Sequence, residues 1–300
     1  MADQERFFSI IIPTYSRPRQ LKACLEALVG LEYPGSSFEV IVVDDGSPVP
    51  LDEIVVPFRQ SLDITLLRQD NAGPASARNT GARRAKGSSL VFIDDDCAPA
   101  PDYLRALTIR AQQSATSAIG GRTVNALSQN IFSSASQLLN DYLYSYFNAD
   151  PEHARFLTSN NMLVPTETFH ALNGFDTTYR RAASEDRDLC DRLVRHGHNI
   201  LYAPEAVVYH SHGLTLLQYW RQHFAYGRGA ATFHRKRLEH DPGGRTIAPV
   251  PFYVNLVRFP FSHRSESPAM ALAGLMLVAQ LATAAGYFRE RFAQRRRQSR

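Results

Sequence analysis

Short runs of apolar residues alternate with amphipathic segments along the first two hundred residues of the chain. Apolar runs of strand length lie at Phe7–Ile12, Phe38–Val43 and Leu90–Ile93, and each is followed by Pro or by acidic residues. Between the first two runs, apolar residues recur at helical spacing over residues 21–28. Because the apolar runs lack polar alternation, the pattern predicts an α/β fold, with a parallel sheet covered by helices on both faces.

The alternation continues through the second half of the chain. An amphipathic helix is predicted to begin at Ser184, and two short strands are predicted at Ile200–Tyr202 and Ala206–Tyr209. Leu214–Leu238 is then predicted as one or two helices, with a flexible break at Gly227-Arg228-Gly229.

Three polar loops follow predicted strands: Pro13-Thr14-Tyr15, Asp44-Asp45-Gly46-Ser47 and Asp94-Asp95-Asp96. The carboxyl ends of parallel strands meet at one rim, where open parallel sheets bind their ligands. Three adjacent carboxylates repel one another, so the last loop is costly unless a cation neutralises it. Aspartate oxygens suit Mg²⁺ or Mn²⁺, and the sequence therefore predicts a divalent-cation site at this rim. A solvated acidic turn without a ligand is the alternative.

Several functional classes are disfavoured by what the sequence lacks. No Gly-x-Gly-x-x-Gly loop follows the first strand and no Walker A loop is present, so a nucleotide would have to be held by carboxylates, arginine and a cation. Cys24, Cys97 and Cys190 are odd in number and widely spaced, which predicts neither a disulfide framework nor a zinc site and fits a reducing compartment. The polar start leads straight into a strand, so no secretory signal is predicted.

Six motifs follow one another in a fixed order over about residues 7–213. They are Ile11-Ile12-Pro13-Thr14-Tyr15, Val42-Val43-Asp44-Asp45-Gly46-Ser47, the stretch from Asn71 to Gly81, Phe92-Ile93-Asp94-Asp95-Asp96, Gly174-Phe175-Asp176 and Glu185-Asp186-Arg187-Asp188-Leu189. In this order and spacing they resemble family 2 glycosyltransferases, which are inverting enzymes with the GT-A fold. The resemblance implies a mostly parallel, Rossmann-like sheet sandwiched by helices. Residues 1–120 would form its nucleotide-sugar-binding half, 121–213 its acceptor-binding and catalytic half, and 214–300 a helical, basic C-terminal region.

The resemblance also implies roles for individual side chains. Asp96, with Asp94 beside it, would ligate Mn²⁺ or Mg²⁺, and Asp94 and Asp95 would lie near the ribose and the waters of the metal. Residues of the rim loops would bind the nucleotide sugar: Pro13, Thr14, Tyr15, Arg17, Asp44, Asp45, Asn71, Gly73 and Arg78. Among them, Asp45 would accept hydrogen bonds from the base, and Arg78 would approach the nucleotide or its phosphates.

An inverting transfer needs a carboxylate that deprotonates the attacking hydroxyl. The resemblance assigns this role to Asp186, with Glu185 beside it. The alternative for the pair is structural, because a helix dipole favours anions in the first turn. The resemblance also implies a histidine as a further metal ligand, which would be His210 or, alternatively, His212. A hydrogen-bonded surface histidine is the remaining interpretation.

The C-terminal third differs in charge from the rest of the chain. Residues 1–213 carry 19 Lys/Arg and 25 Asp/Glu, a net −6, whereas residues 214–300 carry 14 and 4, a net +10. Within this basic region, Ser267–Phe288 is an uncharged stretch of 22 residues. Both of its flanks are basic, which disfavours a single membrane span and favours a helix lying in the cytoplasmic leaflet. A helix packed on the catalytic domain is the alternative, and a membrane surface fits this charge better than nucleic acid does.

These observations predict a metal-dependent glycosyltransferase that moves a sugar from a nucleotide-sugar donor to a hydroxyl of a glycan or lipid-linked acceptor. We expect it to be cytoplasmic and peripheral on the inner face of the cell membrane. Two alternatives are a sugar-phosphate nucleotidyltransferase and a non-catalytic, membrane-associated nucleotide-sugar-binding module. The first needs a Gly-rich, Lys-bearing loop after the first strand, which Pro13-Thr14-Tyr15-Ser16-Arg17 does not provide. The intact Asp94, Asp96 and Asp186 argue against the second.

Overall fold

The computed structural model of the protein describes residues 6–114, 116–179, 183–243, 247–263 and 266–298. The chain divides into two compact units. The first unit comprises Met1–Val124, Phe147–Arg180 and Asp186–Ser211. The second comprises Asn125–Tyr146, Arg181–Glu185 and His212–Arg300.

Strands and helices alternate as the hydrophobic pattern predicts. The strands are β1 Phe8–Thr14, β2 Phe38–Asp44, β3 Ile64–Arg68, β4 Ser89–Ile93, β5 Cys97–Pro99, β6 Ala118–Asn125, β7 Asn161–Pro165 and β8 Ile200–His210. The α-helices are α1 Pro18–Val29, α2 Asp52–Val55, α3 Pro74–Arg84, α4 Tyr103–Gln113, α5 Ile131–Phe147, α6 Thr166–Ala171, α7 Glu185–Arg195, α8 Leu216–His240, α9 Val250–Ser262 and α10 Ala269–Gln298.

The first unit is built on one sheet, whose strands lie in the order β3-β2-β1-β4-β7-β6-β8-β5. The strands β1 to β4 pair in parallel, with β1 between β2 and β4. The later strands add antiparallel pairs, because β7 runs against both β4 and β6, and β5 runs against β8. The parallel half thus brings the loops after β1, β2 and β4 to one rim.

The parallel strands are continuously apolar because both faces of the sheet are buried. On β1, Ile10 and Ile12 belong to one core cluster and Ile11 to the other. The first cluster includes residues of α1 and α4, and the second includes residues of α3 and α7. Helix α3 approaches the sheet closely at Gly81, where a Cβ would lie 2.6 Å from Ile11 Cγ2.

Two predictions about element boundaries are wrong. The two short strands predicted at Ile200–Tyr202 and Ala206–Tyr209 form a single strand, β8, which runs through Pro204 and Glu205. The predicted break at Gly227-Arg228-Gly229 lies inside α8, which is continuous. The glycines there admit a neighbouring helix rather than end α8, since a Cβ at Gly227 would lie only 1.9 Å from Thr283 O of α10.

The second unit packs α5, α8, α9 and α10 around its own apolar cluster. Two buried tyrosines form hydrogen bonds between helices. Tyr142 of α5 donates to Phe252 O of α9 at 2.6 Å, and Tyr219 of α8 donates to Leu275 O of α10 at 3.0 Å. Helices α8 and α10 also approach closely at Gly286, where a Cβ would lie 2.0 Å from Phe224 O.

Helix α10 carries a stripe of exposed apolar side chains. Its members are spaced alternately by seven and four residues, so they share one helical face. They are 50% to 76% exposed and comprise Met270, Leu277, Leu281, Phe288 and Phe292. By length and composition, Ala269–Arg296 is the one described helix that could cross a bilayer; its most apolar 18-residue window has a mean hydropathy of 1.7 and is 33% buried.

Candidate active site

The three consecutive aspartates begin immediately after β4, at the rim where the parallel strands end. Asp95 and Asp96 are buried, and the side chain of Asp94 is 31% exposed. Arg78 donates from Nη2 to Asp94 Oδ1 at 2.6 Å. Arg17 donates from Nη1 to Asp95 Oδ1 at 2.8 Å and to Asp96 Oδ2 at 2.9 Å. Two guanidinium groups thus compensate part of the negative charge of the run.

The two arginines are held very differently. Arg78 projects from α3, its side chain is only 2% exposed, and its guanidinium lies 5.5 Å from the ring centre of Phe175. Arg17 lies in the loop between β1 and α1, and its side chain is 39% exposed. The preceding residue, Ser16, has a φ of 55°, a left-handed conformation that non-glycine residues adopt at some cost.

Asp95 is in an unfavourable position for an anion. Burial raises the pKa of its carboxyl to about 6, although Arg17 and a hydrogen bond from Thr14 both act to lower it. That hydrogen bond joins Thr14 Oγ1 to Asp95 Oδ2 at 2.7 Å. Burial opposes the charge of Arg17 as well, but Asp95 and Asp96 outweigh it and raise the pKa of the guanidinium. Burial and the nearby aspartates raise the pKa of the Cys97 and Cys24 thiols, which are therefore protonated at neutral pH.

At the end of β8, His210 lies against the acidic run, which is the segment Asp94-Asp95-Asp96. Its Nε2 lies 3.2 Å from Asp96 Oδ1, and β8 pairs with β5 so that His210 faces Cys97. The backbone N–H of Ser211 donates to Asp96 O at 2.8 Å, which fixes the end of β8 against the aspartates. His212, the other candidate from the sequence, belongs to the second unit, where its Nε2 lies 2.9 Å from Gln222 Oε1.

The donor atoms at this point fit a divalent cation. Asp96 offers carboxylate oxygen and His210 offers an imidazole nitrogen, a combination that Mn²⁺ accepts. Asp96 already has one positively charged partner, the guanidinium of Arg17, so this carboxylate lies where a cation is stabilised. The residues present are therefore compatible with the metal that the sequence predicts, and Asp96 and His210 are those that would hold it.

A second group of predicted residues surrounds Asp45, at the end of β2. Its Oδ1 accepts from Gln69 Nε2 at 2.7 Å and from Ala72 N at 2.9 Å, and its Oδ2 accepts from Gly73 N at 2.8 Å. Asn71 Nδ2 donates to Asp45 O at 2.9 Å. Gly73 has a φ of 92°, which suits glycine, and it precedes the first residue of α3. Asp45 therefore organises the loop that leads into α3.

The remaining rim residues frame an open cleft. Asp44 Oδ1 accepts from Ser47 N at 2.8 Å, and Asp44 Oδ2 lies 3.6 Å from Arg68 Nη1. The cleft has a volume of about 600 Å³ and is lined by Gly46, Arg68, Gln69, Asp70 and Asn71. Pro13 is buried in β1, whereas Tyr15 is 48% exposed just beyond the strand.

Asp186 is positioned by the course of the chain. It lies in the first turn of α7, where its Oδ1 accepts from Arg187 N at 2.7 Å. Helix α7 leads directly into β8, and its Leu193 packs with Ile200 in one core cluster. Helix α3 contributes residues to the same cluster, so Asp186 belongs to the first unit together with the three aspartates.

Glu185, the neighbour of Asp186, has a different environment. It is 3% exposed, and its Oε2 accepts from Ala183 N at 2.7 Å within the second unit. This contact supports the structural alternative for Glu185, since it holds the backbone that enters α7. Glu185 and His212 are thus the two candidates that the structure places outside the first unit.

Sequence reasoning did not single out Gln69 or the pairing of Thr14 with Asp95. Gln69 donates to Asp45 and accepts from Thr80 Oγ1 at 2.6 Å, so it links the loop after β2 to α3. Its position one residue after the end of β3, at the same rim, is a signal that could have identified it. The Thr14–Asp95 bond depends on strand order and could not be read from the chain.

The whole fold has known counterparts. A mannosyltransferase, PcManGT from Pyrobaculum calidifontis, solved in complex with GDP-Man and Mn²⁺, superposes with a TM-score of 0.65 at 19% identity over 93% of this chain and 76% of its own. TarS 1–349 of S. aureus gives a TM-score of 0.58 at 17% identity over 98% and 92% of the two chains. The expected α/β fold of GT-A type is thereby confirmed.

The family follows from the sequence comparisons. The model described as glycosyl transferase family 2 matches residues 9–187, and the chain belongs to that family. Glycosyltransferase AglE of Haloferax volcanii is 38% identical over 100 residues, which are 33% of this chain and 33% of AglE. The pre-mycofactocin glycosyltransferase of Mycobacterium tuberculosis is 28% identical over 233 residues, 75% of this chain and 47% of that protein. The chain thus matches less than half the length of these curated relatives.

Proposed function

We propose that this protein is a metal-dependent, inverting glycosyltransferase that moves a sugar from a nucleotide-sugar donor to a hydroxyl acceptor. The observation that carries the proposal is the meeting of Asp96 and His210, at 3.2 Å, on the rim of a GT-A-type sheet. The relatives support the choice of donor class, since one solved neighbour is a complex with GDP-Man and Mn²⁺ and another is a complex with UDP-GlcNAc. The two bound nucleotide sugars differ in base and in sugar, so we propose a nucleotide sugar without choosing the base.

The roles follow from the positions of the residues. Asp96 and His210 would hold Mn²⁺ or Mg²⁺, with Asp94 close by. When bound, the cation supplies positive charge to the departing diphosphate. Asp186 would accept the proton of the acceptor hydroxyl. The hydroxyl oxygen would attack the anomeric carbon on the face opposite the departing diphosphate.

The rim loops would bind the rest of the donor. We propose that Pro13, Thr14 and Tyr15 line the base pocket with Asp44 and Asp45, next to the cleft at Asn71 and Gly73. Because both carboxylate oxygens of Asp45 already accept hydrogen bonds from its own loop, we expect Asp45 to act mainly by shaping that pocket. Arg78 would act through Asp94, which it holds at 2.6 Å. In this scheme residues 1–120 serve the donor, 121–213 the acceptor and the catalytic base, and 214–300 the membrane.

The chemistry is tested first by donor choice and then by substitution. A thermal-shift panel of UDP-, GDP- and dTDP-sugars, with and without Mn²⁺, identifies the donor, and product analysis on the best donor measures transfer or hydrolysis. Asp186→Asn is expected to abolish turnover while donor binding stays nearly intact. The matched control is Asp191→Asn on the same helix, whose carboxylate pairs with Arg195, and it should retain activity.

Each outcome of this test has a distinct meaning. Near-normal turnover by Asp186→Asn removes that residue as the base. Donor binding by the wild type with no turnover on any acceptor favours the alternative of a non-catalytic binding module. Release of pyrophosphate from a nucleoside triphosphate and a sugar phosphate would instead indicate a nucleotidyltransferase.

We further propose that the second unit binds the anionic inner surface of the cell membrane, where a lipid-linked or cell-envelope glycan would be the acceptor. The apolar stripe of α10 remains exposed for more than five helical turns, from Met270 to Phe292. Exposed arginines follow at the end of the same helix, at Arg289, Arg295 and Arg296. In a membrane leaflet, the apolar side chains of α10 would contact the acyl chains, and its arginines would contact the phosphate groups of the lipids.

Vesicle flotation tests this attachment. The full chain should float with vesicles containing phosphatidylglycerol and much less with phosphatidylcholine alone. Leu281→Glu, at a site 64% exposed, should abolish flotation, whereas Ile109→Glu, at a site 57% exposed on α4, should not. Equal flotation of both variants would contradict the proposal. Carbonate extraction separates the alternatives, since a spanning helix stays in the pellet and a surface helix is released.

A further inference from the structure

Arg17 is the most accessible charged group in contact with the acidic run. It contacts Asp95 and Asp96 through the single nitrogen Nη1, at 2.8 Å and 2.9 Å. The side chains of both aspartates are only 4% exposed, whereas that of Arg17 is 39% exposed. Its partners are therefore fixed in the protein, while Arg17 can withdraw into solvent.

The backbone that carries Arg17 is held by hydrogen bonds on both sides, since Leu21 N donates to Arg17 O at 3.0 Å. The φ of Ser16 is 55°, and Ser16 N donates to Ser47 Oγ at 2.8 Å. Arg17 occupies the N-cap position of α1 but forms no side-chain cap there, so its guanidinium is not needed to begin the helix. Arg78, by contrast, is packed inside α3 at 2% exposure and cannot leave Asp94 without opening the core.

The charge balance of the site shows what withdrawal would achieve. Three carboxylates carry a charge of −3, and Arg17 with Arg78 returns +2, so these five side chains sum to −1. Adding a divalent cation brings the net charge of the site to +1, and the cation and Arg17 then compete for Asp96. If Arg17 leaves, the sum is zero, because Arg78 balances Asp94 and the cation balances Asp95 and Asp96. The arrangement without Arg17 is the better-compensated one.

We propose that Arg17 is a displaceable counter-ion, which neutralises Asp95 and Asp96 until a divalent cation takes its place and which then turns its charge toward the diphosphate of the donor. The inference rests on the proposed function, because it needs a cation at Asp96 and a nucleoside diphosphate at the same rim. Arg17 acts here as a positioning residue for the metal. A permanent structural ion pair is the competing explanation.

Binding of Mn²⁺ alone provides the first test, measured on the full chain by calorimetric titration or by electron paramagnetic resonance of free Mn²⁺. Removing the competing charge in Arg17→Gln should tighten Mn²⁺ binding roughly tenfold, which corresponds to about 1.4 kcal/mol. The matched control is Arg19→Gln, which removes an exposed arginine of α1 and should leave Mn²⁺ affinity unchanged. Asp96→Asn should abolish the binding.

Binding of UDP and GDP at saturating Mn²⁺ provides the second test. The same Arg17→Gln variant should bind the preferred diphosphate several-fold more weakly, because the freed guanidinium is missing. Tighter metal binding combined with weaker diphosphate binding is a pattern that a purely structural ion pair does not produce, since its loss would weaken both. If Arg17→Gln does not fold, Arg17→Lys replaces it, and Mn²⁺ should then bind more tightly than in the wild type but by a smaller factor.

The failures can be told apart. Unchanged or weaker Mn²⁺ binding in the Arg17 variants, when the wild type binds Mn²⁺ through Asp96, overturns the role of Arg17 and leaves the proposed function standing. No Mn²⁺ binding by the wild type and by the Arg17 variants overturns both the metal part of the proposed function and this inference.

Discussion

The histidine at position 223 provides a sharp test of the physical description of the second unit. His223 lies on α8 at 1% exposure, with its ring centre 4.4 Å from that of Tyr219 and 5.5 Å from that of Tyr226. Both ring nitrogens are buried without a hydrogen-bond partner among the described residues. Burial lowers the pKa of the imidazole to about 4, so the folded chain holds it neutral.

The sign and size of the effect follow from this pKa. An unfolded histidine titrates near about 6.5, so protons bind the unfolded chain preferentially as the pH falls below that value. Stability contributed by the neutral ring is complete above about pH 6.5 and is lost as the pH falls toward 4. At pH 5 the loss amounts to about 2 kcal/mol, and it approaches about 3 kcal/mol at pH 4.

The substitution His223→Phe removes the titration and both unpartnered nitrogens. We expect it to be neutral or stabilising at pH 7.5 and to gain a further ~2 kcal/mol over the wild type at pH 5. The chain has one tryptophan, Trp220, three residues before His223 on α8, so fluorescence-detected urea unfolding reports on this helix. His240→Gln, at an exposed histidine near the end of α8, is the control and should follow the wild-type profile. Parallel pH profiles for His223→Phe and the wild type would show that the pKa of His223 is not lowered in the folded chain.

Two further predictions concern the acidic run and the helix packing. Burial raises the pKa of Asp95 to about 6, against about 3.9 in an unfolded chain, so its ionisation destabilises the fold increasingly as the pH rises between these values and fully above about 6. Without added Mn²⁺, Asp95→Asn should raise the free energy of unfolding by about 3 kcal/mol at pH 8 and by about half as much at pH 5. A pH-independent difference in chemical denaturation would contradict this. Gly227→Ala places a Cβ 1.9 Å from Thr283 O and should lower the free energy of unfolding by more than ~2 kcal/mol. The control, Gly274→Ala on α10, places a Cβ with nothing within 4 Å and should raise the free energy of unfolding by up to ~1 kcal/mol. Equal melting temperatures for the two variants would be inconsistent with the close α8–α10 packing.

The sequence predicts the rim of the site well because local pattern and chain direction determine it. Each apolar run ends where its polar loop begins, so Asp45 and Asp94 had to lie at the same end of two parallel strands of one sheet. The pairing of Thr14 with Asp95 and of His210 with Asp96 depends on the strand order β1-β4 and on the antiparallel pair β5-β8. That order is set by packing between distant segments, which no local pattern encodes.

The errors have the same origin. Gly227 and Gly229 were interpreted through their conformational freedom, but in α8 their small size is what matters, since it lets the backbone of another segment approach. The role of Asp45 at the base stays a prediction, and the structure adds that its carboxylate accepts three hydrogen bonds from the loop of residues 69–73. In both cases the residue type was informative, and the partner could only be found in three dimensions.

Whether Asp96 and His210 hold the metal is measured directly by anomalous diffraction from crystals of the full chain grown with Mn²⁺ and UDP. We expect one strong manganese peak at the rim, at about 2.0 to 2.4 Å from a carboxylate oxygen of Asp96 and from His210 Nε2, with Arg17 moved off Asp96. A manganese peak bound to the diphosphate but remote from Asp96 and His210, or UDP bound at the rim with no peak beside these residues, would contradict it.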